Sequence, residues 1–192
     1  IKGISEKMAM AIGEQIEEKK DMRQAMMFLQ NYGVSLNLAV KIYQEYGPAL
    51  YSVLKNNPYK LADDIPGVGF KLADEIAARI GVVPDSDFRI KSGILYILLQ
   101  ASGNGHTYLP QEELYVRAAG LLQIDEELIG KHLMDMQMDK RIVIRGKENA
   151  RQVYAAQYYY TELNTARMLH DLNINGFEPE EEIRRDLQAV QR

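Results

Sequence analysis

A short pattern occurs three times in the first half of the chain, and it constrains the fold more than any other feature. Each copy reads Gly, Ile or Val, Ser or Gly, three variable residues, Ala, two variable residues and Ile. The copies begin at Gly3, Gly33 and Gly67, so their starts lie 30 and 34 residues apart. A period of this length is typical of arrays of helical hairpins rather than of sheet proteins.

The spacing within each copy predicts a helix, a tight hairpin and a second helix. Gly opens the turn at low steric cost, and the Ile or Val after it can insert between the two helices. Ser5 and Ser35 are good N-cap residues, and Gly69 is an acceptable one. Ala and Ile, three residues apart, fall on one face of the second helix, where the small residue permits a close crossing. The three pairs are Ala9 with Ile12, Ala39 with Ile42, and Ala73 with Ile76.

The third copy, with its flanks, spans residues 61–76 and resembles the helix-hairpin-helix motif of DNA repair and replication proteins. In that motif backbone N–H groups at a helix N-terminus contact a phosphate oxygen, which reads no base sequence. The resemblance assigns the amides to Gly67, Val68 and Gly69, and a nearby cation to Lys71. A purely structural packing role stays open for this hairpin.

The other two copies depart from the motif to different degrees. The first has Ser5 in place of the second Gly but keeps Lys7, so Gly3, Ile4, Ser5 and Lys7 form a second candidate phosphate contact, with a packing role equally open. The middle copy has Asn37 where the others have Lys. We therefore interpret the middle copy as scaffold.

The second half of the chain follows a different pattern, which predicts a winged helix. Residues 85–157 are expected to form helix, strand, helix, helix, strand, loop and strand. The fold class is therefore mainly α: a helix-hairpin-helix array over 1–84, a winged-helix domain over 85–157 with a small β-hairpin, and a helical connector over 158–192. Leu128, Leu133, Met134 and Met138 are predicted to form the apolar side of the third winged-helix helix.

Charge divides this second half into an acidic helix and a basic hairpin. The third helix of a winged helix often reads DNA, but here five acids and two bases surround it, which disfavours contact with phosphate. The acids are Asp125, Glu126, Glu127, Asp135 and Asp139, and the bases are Lys131 and Lys140. The hairpin carries Lys140, Arg141, Arg145, Lys147 and Arg151. Arg145, Lys147 and Arg151 are therefore candidate DNA contacts, with a solvated hairpin or a docking surface as the alternative.

Several runs along the chain are similar to the region that precedes the motor in bacterial RecD-like DNA helicases. These resemble the alpha subunit of exodeoxyribonuclease V, in its long form. The runs are residues 26–35, 39–43, 57–64, 67–71 and 107–110. The resemblance implies that a 5′ to 3′ ATP-dependent motor, acting in repair or recombination, follows this region and is its partner together with the DNA backbone. ATP and Mg²⁺ are expected for that motor.

No phosphate loop of the form G-x-x-x-x-G-K-[ST] occurs in the chain, so we expect no cofactor and no ATP hydrolysis here. The chain starts at Ile1 without Met, and we expect it to be a piece of a longer protein. Its 192 residues include no Cys, which excludes disulfides and thiolate metal sites and suits a cytoplasmic protein. No apolar stretch is long enough for a membrane span.

Two other functions compete with DNA binding by the hairpins. A net charge of −4 favours a module that docks proteins and never contacts DNA. A helix-hairpin-helix glycosylase would use Lys71 as its nucleophile with Asp85 or Asp87, and that pairing is loose. His106, His132 and His170 lie in different predicted elements without the spacing of metal ligands.

Overall fold

The computed structural model describes residues 5–174, which form nine α-helices, two short 3-10 turns and three β-strands. The N-terminal helices are α1 (Glu6–Asn31), α2 (Leu36–Tyr46), α3 (Leu50–Asn56), α4 (Lys60–Asp64) and α5 (Phe70–Ile80). The remaining elements are α6 (Asp87–Gly103), β1 (Tyr108–Pro110), α7 (Gln111–Leu122), α8 (Glu126–Met138), β2 (Ile142–Arg145), β3 (Gln152–Ala155) and α9 (Ala156–Ile174). No helix in this part of the chain is long and apolar enough to cross a bilayer.

The second and third copies of the repeat form the predicted helix-hairpin-helix units. Val34 lies buried between α1 and α2, and Val68 lies buried between α4 and α5. The Ala and Ile of both copies are fully buried, which confirms that they mark the inner face of the second helix: Ala39, Ile42, Ala73 and Ile76. No strand occurs within residues 5–84.

The first copy differs from the other two in its packing. Gly3 and Ile4 lie outside the described residues, and Ser5 caps α1 by accepting a hydrogen bond from the Met8 N–H at 3.3 Å. Ala9 and Ile12 are exposed, whereas the matching residues of the other two copies are buried. The burial predicted from the repeat is therefore wrong for this copy. The expected connector over 158–192 coincides with α9 as far as residue 174 and otherwise lies outside the described residues.

The three strands form one antiparallel sheet in the order β1-β3-β2. Tyr108 pairs with Tyr154 across β1 and β3, and Val143 pairs with Tyr154 across β2 and β3. The loop between β2 and β3 requires Gly146, because a Cβ on this residue, whose φ is 95°, would lie 2.3 Å from the Ala150 carbonyl oxygen. The predicted helix and strand order over residues 85–157 agrees with these elements.

The predicted apolar side of α8 is wrong for three of its four residues. Met134 and Met138 are 70% and 81% exposed, Leu128 is also exposed, and only Leu133 is buried. The buried stripe instead contains His132, which replaces an apolar residue in a regular helical spacing. Its members are Ile129, His132, Leu133 and Met136. Hydrophobicity alone assigns His132 to the polar side of α8. The predicted apolar face is therefore rotated away from the observed one.

One hydrogen-bonded network joins the helix-hairpin-helix region to the rest of the molecule. The Asp74 carboxylate on α5 accepts hydrogen bonds from the Tyr59 hydroxyl at 2.6 Å and from Arg89 Nε at 2.8 Å and Nη2 at 3.1 Å. Arg89 Nη1 also donates to the Leu122 carbonyl oxygen at 2.8 Å, at the end of α7. The hydrophobic core runs continuously around this network from α1 to β3.

We expect Arg89→Met to lower the free energy of unfolding by about 2–4 kcal/mol, because it leaves the partly buried Asp74 carboxylate without its cation. Urea unfolding measures this loss. Arg117→Met is the matched control, since its ion pair with Glu113 is exposed on one helix face and should contribute less than about 0.5 kcal/mol. Equal losses for the two variants would contradict the role assigned to the network.

Candidate nucleic-acid interface

The third hairpin has the geometry of a type II turn. Pro66 occupies its second position, Gly67 its third, and the Val68 N–H donates to the Ile65 carbonyl oxygen at 3.0 Å. Gly67 has a φ of 102°, a conformation that residues with a Cβ rarely adopt. The turn exposes Gly67 and Gly69 while Val68 remains buried between the helices.

The N-terminus of α5 presents free backbone donors next to this turn. Gly69 is the N-cap residue and has no side chain to accept a hydrogen bond from the first turn. The N–H groups of Phe70, Lys71 and Leu72 have no carbonyl four residues earlier within the helix. Within residues 5–174 the Gly69 N–H also donates to no backbone carbonyl. These amides and the helix dipole together favour an anion.

Val68 cannot be one of the phosphate donors that the sequence predicted. Its N–H is already used in the turn and its side chain is 5% exposed. Val68 therefore packs the hairpin, and the free amides available to an anion are those of Gly69, Phe70 and Lys71. Sequence reasoning did not name Phe70, because its side chain is buried and nothing in the sequence marks its amide as free.

Three carboxylates near the third hairpin are paired with cations, whereas Glu75 on α5 is exposed and forms no ion pair among the described residues. Asp63 accepts two hydrogen bonds from Arg141 Nη2, at 2.9 and 3.1 Å, although Arg141 lies 78 residues later. Asp64 pairs with Lys60, and this hydrogen bond lowers the pKa of the Asp64 carboxyl below its ordinary value. With Asp74 bound by Arg89, pairing offsets much of the negative charge around the hairpin.

Lys71 is the exposed cation of the third hairpin. It lies in the first turn of α5 and, among the described residues, forms no ion pair. A lysine that keeps its hydration and its freedom can reach a phosphate next to the amides as a point charge. Lys71, Gly67 and Gly69 are all exposed, and their contact with phosphate stays a prediction.

The second hairpin has a different backbone from the third. Gly33 has a φ of 85°, and the Val34 N–H donates to the Leu29 carbonyl oxygen at 3.2 Å, so α1 ends in a glycine cap. Arg79 Nη1 on α5 donates to the Asn31 carbonyl oxygen at 3.0 Å next to this cap. These contacts favour the scaffold role predicted for the middle copy.

Three candidate residues of the first hairpin and of the basic β2–β3 hairpin already have partners within the chain. Ser5 uses its hydroxyl to cap α1, and Lys7 is exposed in the first turn of that helix. Arg145 donates from Nε to the Tyr159 hydroxyl at 2.9 Å, and Arg151 lies 3.9 Å from Glu148. Lys147 is exposed in the loop between β2 and β3.

The glycosylase arrangement does not form around Lys71. Asp87 instead faces His132, with 3.5 Å between Asp87 Oδ1 and His132 Nε2. His132 is buried in α8, whereas His106 and His170 are exposed in other elements. No group of three possible metal ligands occurs in the described part of the chain.

A comparison with protein families gives a match that covers the second and third hairpins. Residues 18–108 match the family model described as the ATP-dependent RecD2 DNA helicase HHH domain, where HHH denotes helix-hairpin-helix. Residues 18–108 are therefore similar to the RecD2 helix-hairpin-helix domain family. This confirms the resemblance to RecD-like helicases. The RecD2-type domain includes the second and third hairpins and all of α6, and it ends at β1.

The two glycines of the third hairpin should respond differently to substitution. Gly69 has a φ of −94°, and a Cβ added there would meet no atom within 4 Å, so Gly69→Val should fold with a loss below about 1 kcal/mol. Its side chain would block phosphate and weaken DNA binding by about tenfold, the value of one amide contact. Gly67→Ala should lower the free energy of unfolding by about 1–2 kcal/mol through backbone strain.

Fluorescence anisotropy with labelled DNA and urea unfolding measure the two effects separately. Gly69→Ser is the control for the capping position, because the second hairpin has Ser35 there, and it should remain folded. A Gly69→Val protein that stays folded and binds DNA like the unmodified chain would make the hairpin a scaffold.

Proposed function

We propose that this chain is a non-catalytic, sequence-independent DNA-binding region that positions DNA for a RecD-like ATP-dependent helicase. The observation that carries the proposal is the free amides at the start of α5, next to exposed Lys71, in a domain similar to the RecD2 helix-hairpin-helix family. Amides that contact phosphate position a backbone but distinguish no bases. The proposed role is therefore to hold DNA rather than to select a sequence.

The proposal extends to residues 85–157 as a winged helix, which shares α6 with the RecD2-type domain. The element order α6, β1, α7, α8, β2, β3 and the sheet order β1-β3-β2 support this interpretation. In it the loop between β2 and β3 is the wing, with Arg145, Lys147 and Arg151 as DNA contacts. Arg141 binds Asp63 on α4 and would hold the wing against the helix-hairpin-helix region.

We place the motor, its ATP and its Mg²⁺ in the intact protein and not in these 192 residues. The chain has no phosphate loop that could bind the β- and γ-phosphates, so its residues do not fit ATP as a helicase motor binds it. The motor domains are the proposed protein partner, repair or recombination of DNA the proposed process, and the cytoplasm the proposed location.

Docking of another protein is the second candidate function, and one surface favours it. The groove between α1 and α2 is lined by four carboxylates that would repel DNA: Glu14, Glu17, Glu18 and Asp21. The adjoining half of α1 also exposes Met8, Met10 and Ile16. Docking on this side is compatible with DNA on the α5 side, and only the failure of DNA binding would make docking the sole function.

We expect the chain to bind duplex DNA weakly, with Kd near the non-specific range of about 10⁻⁴ to 10⁻⁶ M. The plot of log K against log salt should have a slope of about −2 to −4, because only about two to four phosphates are neutralised. Lys71→Ala should reduce the magnitude of this slope by about one. Anisotropy titrations at several salt concentrations measure both quantities.

Lys55→Ala is the matched control for this titration. Lys55 is likewise an exposed lysine of the RecD2-type domain, but it lies in the last turn of α3 and not at the start of α5. Its slope should equal that of the unmodified chain. No detectable binding at low salt, or an equal effect of the two substitutions, would contradict the proposed function.

A further inference from the structure

A cleft beside the edge strand β2 is lined by cations and an aromatic ring that play no part in the proposed contact at the third hairpin. It has a volume of about 260 Å³ and lies between β2, the end of α8 and the start of α9. Its polar lining contains Lys140, Arg145 and Gln137, and its aromatic wall is Tyr160. No carboxylate of the described residues lines it. In a chain with a net charge of −4, two cations without an acid between them form a local site for an anion.

Arg145 is held in place at the edge of this cleft. Its Nε donates to the Tyr159 hydroxyl at 2.9 Å, its Nη2 donates to the same oxygen, and its guanidinium carbon lies 5.0 Å from the Tyr159 ring centre. Within residues 5–174 its Nη1 makes no hydrogen bond. A guanidinium positioned in this way loses little freedom when Nη1 binds a phosphate oxygen.

Lys140 is placed at the cleft by an uncommon backbone conformation. Its φ is 56°, in the left-handed region, and its N–H donates to the Gln137 carbonyl oxygen at 3.1 Å to end α8. Gly or Asn adopts this conformation more easily than Lys at the end of a helix. The cost is offset by a cation that also interacts favourably with the helix C-terminus.

Tyr160 ends a series of four packed aromatic rings. The ring centres of Tyr108 and Tyr154 are 5.2 Å apart, those of Tyr154 and Tyr159 are 5.4 Å apart, and those of Tyr159 and Tyr160 are 5.3 Å apart. Tyr160 itself is 50% exposed. Packing against Tyr159 fixes its ring, so a flat aromatic group can stack on its open side at a small entropic cost.

We propose that this cleft binds one nucleotide of single-stranded DNA, with the base stacked on Tyr160 and the phosphate held by Arg145 and Lys140. An aromatic platform next to cations is the arrangement by which proteins bind single strands without sequence preference. Duplex DNA keeps its bases stacked inside the helix and cannot use the platform. The inference rests on the proposed function and adds a preference for single strands.

The test uses the whole chain and three labelled probes of equal length: oligo(dT), the same backbone with abasic residues, and a duplex. Tyr160→Ala should weaken binding of oligo(dT) by about fivefold to tenfold, since stacking of one base is lost. The same substitution should leave the affinity for the abasic probe, the affinity for the duplex and the salt dependence of binding unchanged. Tyr160→Phe should bind oligo(dT) like the unmodified chain, because the ring is retained.

The control and the remaining outcomes separate this site from the hairpin. Tyr51→Ala removes a ring of similar exposure, 45%, which packs on Phe28 and does not line the cleft, and it should have no effect. If Gly69→Val weakens duplex binding but Tyr160→Ala leaves oligo(dT) binding unchanged, only the cleft assignment is overturned. If the unmodified chain binds none of the three probes, both proposals are overturned.

Discussion

The Asp74 carboxylate fixes the position of α5, on which the candidate interface depends. Burial is the main cause that raises the pKa of the Tyr59 hydroxyl, and its hydrogen bond to Asp74 adds to this, so the phenol stays a donor at neutral pH. Arg89 completes the network from α6 and reaches the end of α7. Because the Arg89 guanidinium on α6 bonds both to α5 and to the end of α7, the hairpin at the start of α5 has a defined orientation. A mobile hairpin would lose much of its anion affinity to the entropy of ordering its amides.

Local pairing of charge explains how an acidic chain can present a site for phosphate. Three acids around the third hairpin, Asp63, Asp64 and Asp74, are paired with cations from α4, from α6 and from the residue that precedes β2. A group of four acids lies elsewhere, along α1. The net charge of the chain therefore does not predict the charge at the third hairpin. Screening by salt limits the influence of an exposed charge to about 8 Å at physiological ionic strength. A phosphate bound at the third hairpin would therefore interact mainly with the charges next to it.

The sequence predicted the hairpins because their signal is local. Gly67 with its positive φ, Val68 with its burial, and the Ala73 and Ile76 pair each follow from spacing along one helix and one turn. The candidate donors were harder to predict from the sequence, because the turn uses the Val68 amide and no sequence feature indicates that the Phe70 amide is free. Contacts between distant segments, such as Arg141 with Asp63, cannot be read from spacing at all. The buried stripe of α8 was misassigned because His132 is polar in sequence and packed in the structure.

The most direct measurement of the central claim is a two-dimensional ¹H–¹⁵N NMR titration of the chain with a short oligonucleotide. We predict that the signals of the Gly69, Phe70 and Lys71 amides shift and saturate at low oligonucleotide concentrations. The Val68 amide should change little, because it is already hydrogen-bonded to the Ile65 carbonyl oxygen. Shifts should follow the salt dependence of binding. Shifts that avoid the start of α5 and concentrate on α1, or amides that do not respond to DNA at all, would contradict the claim.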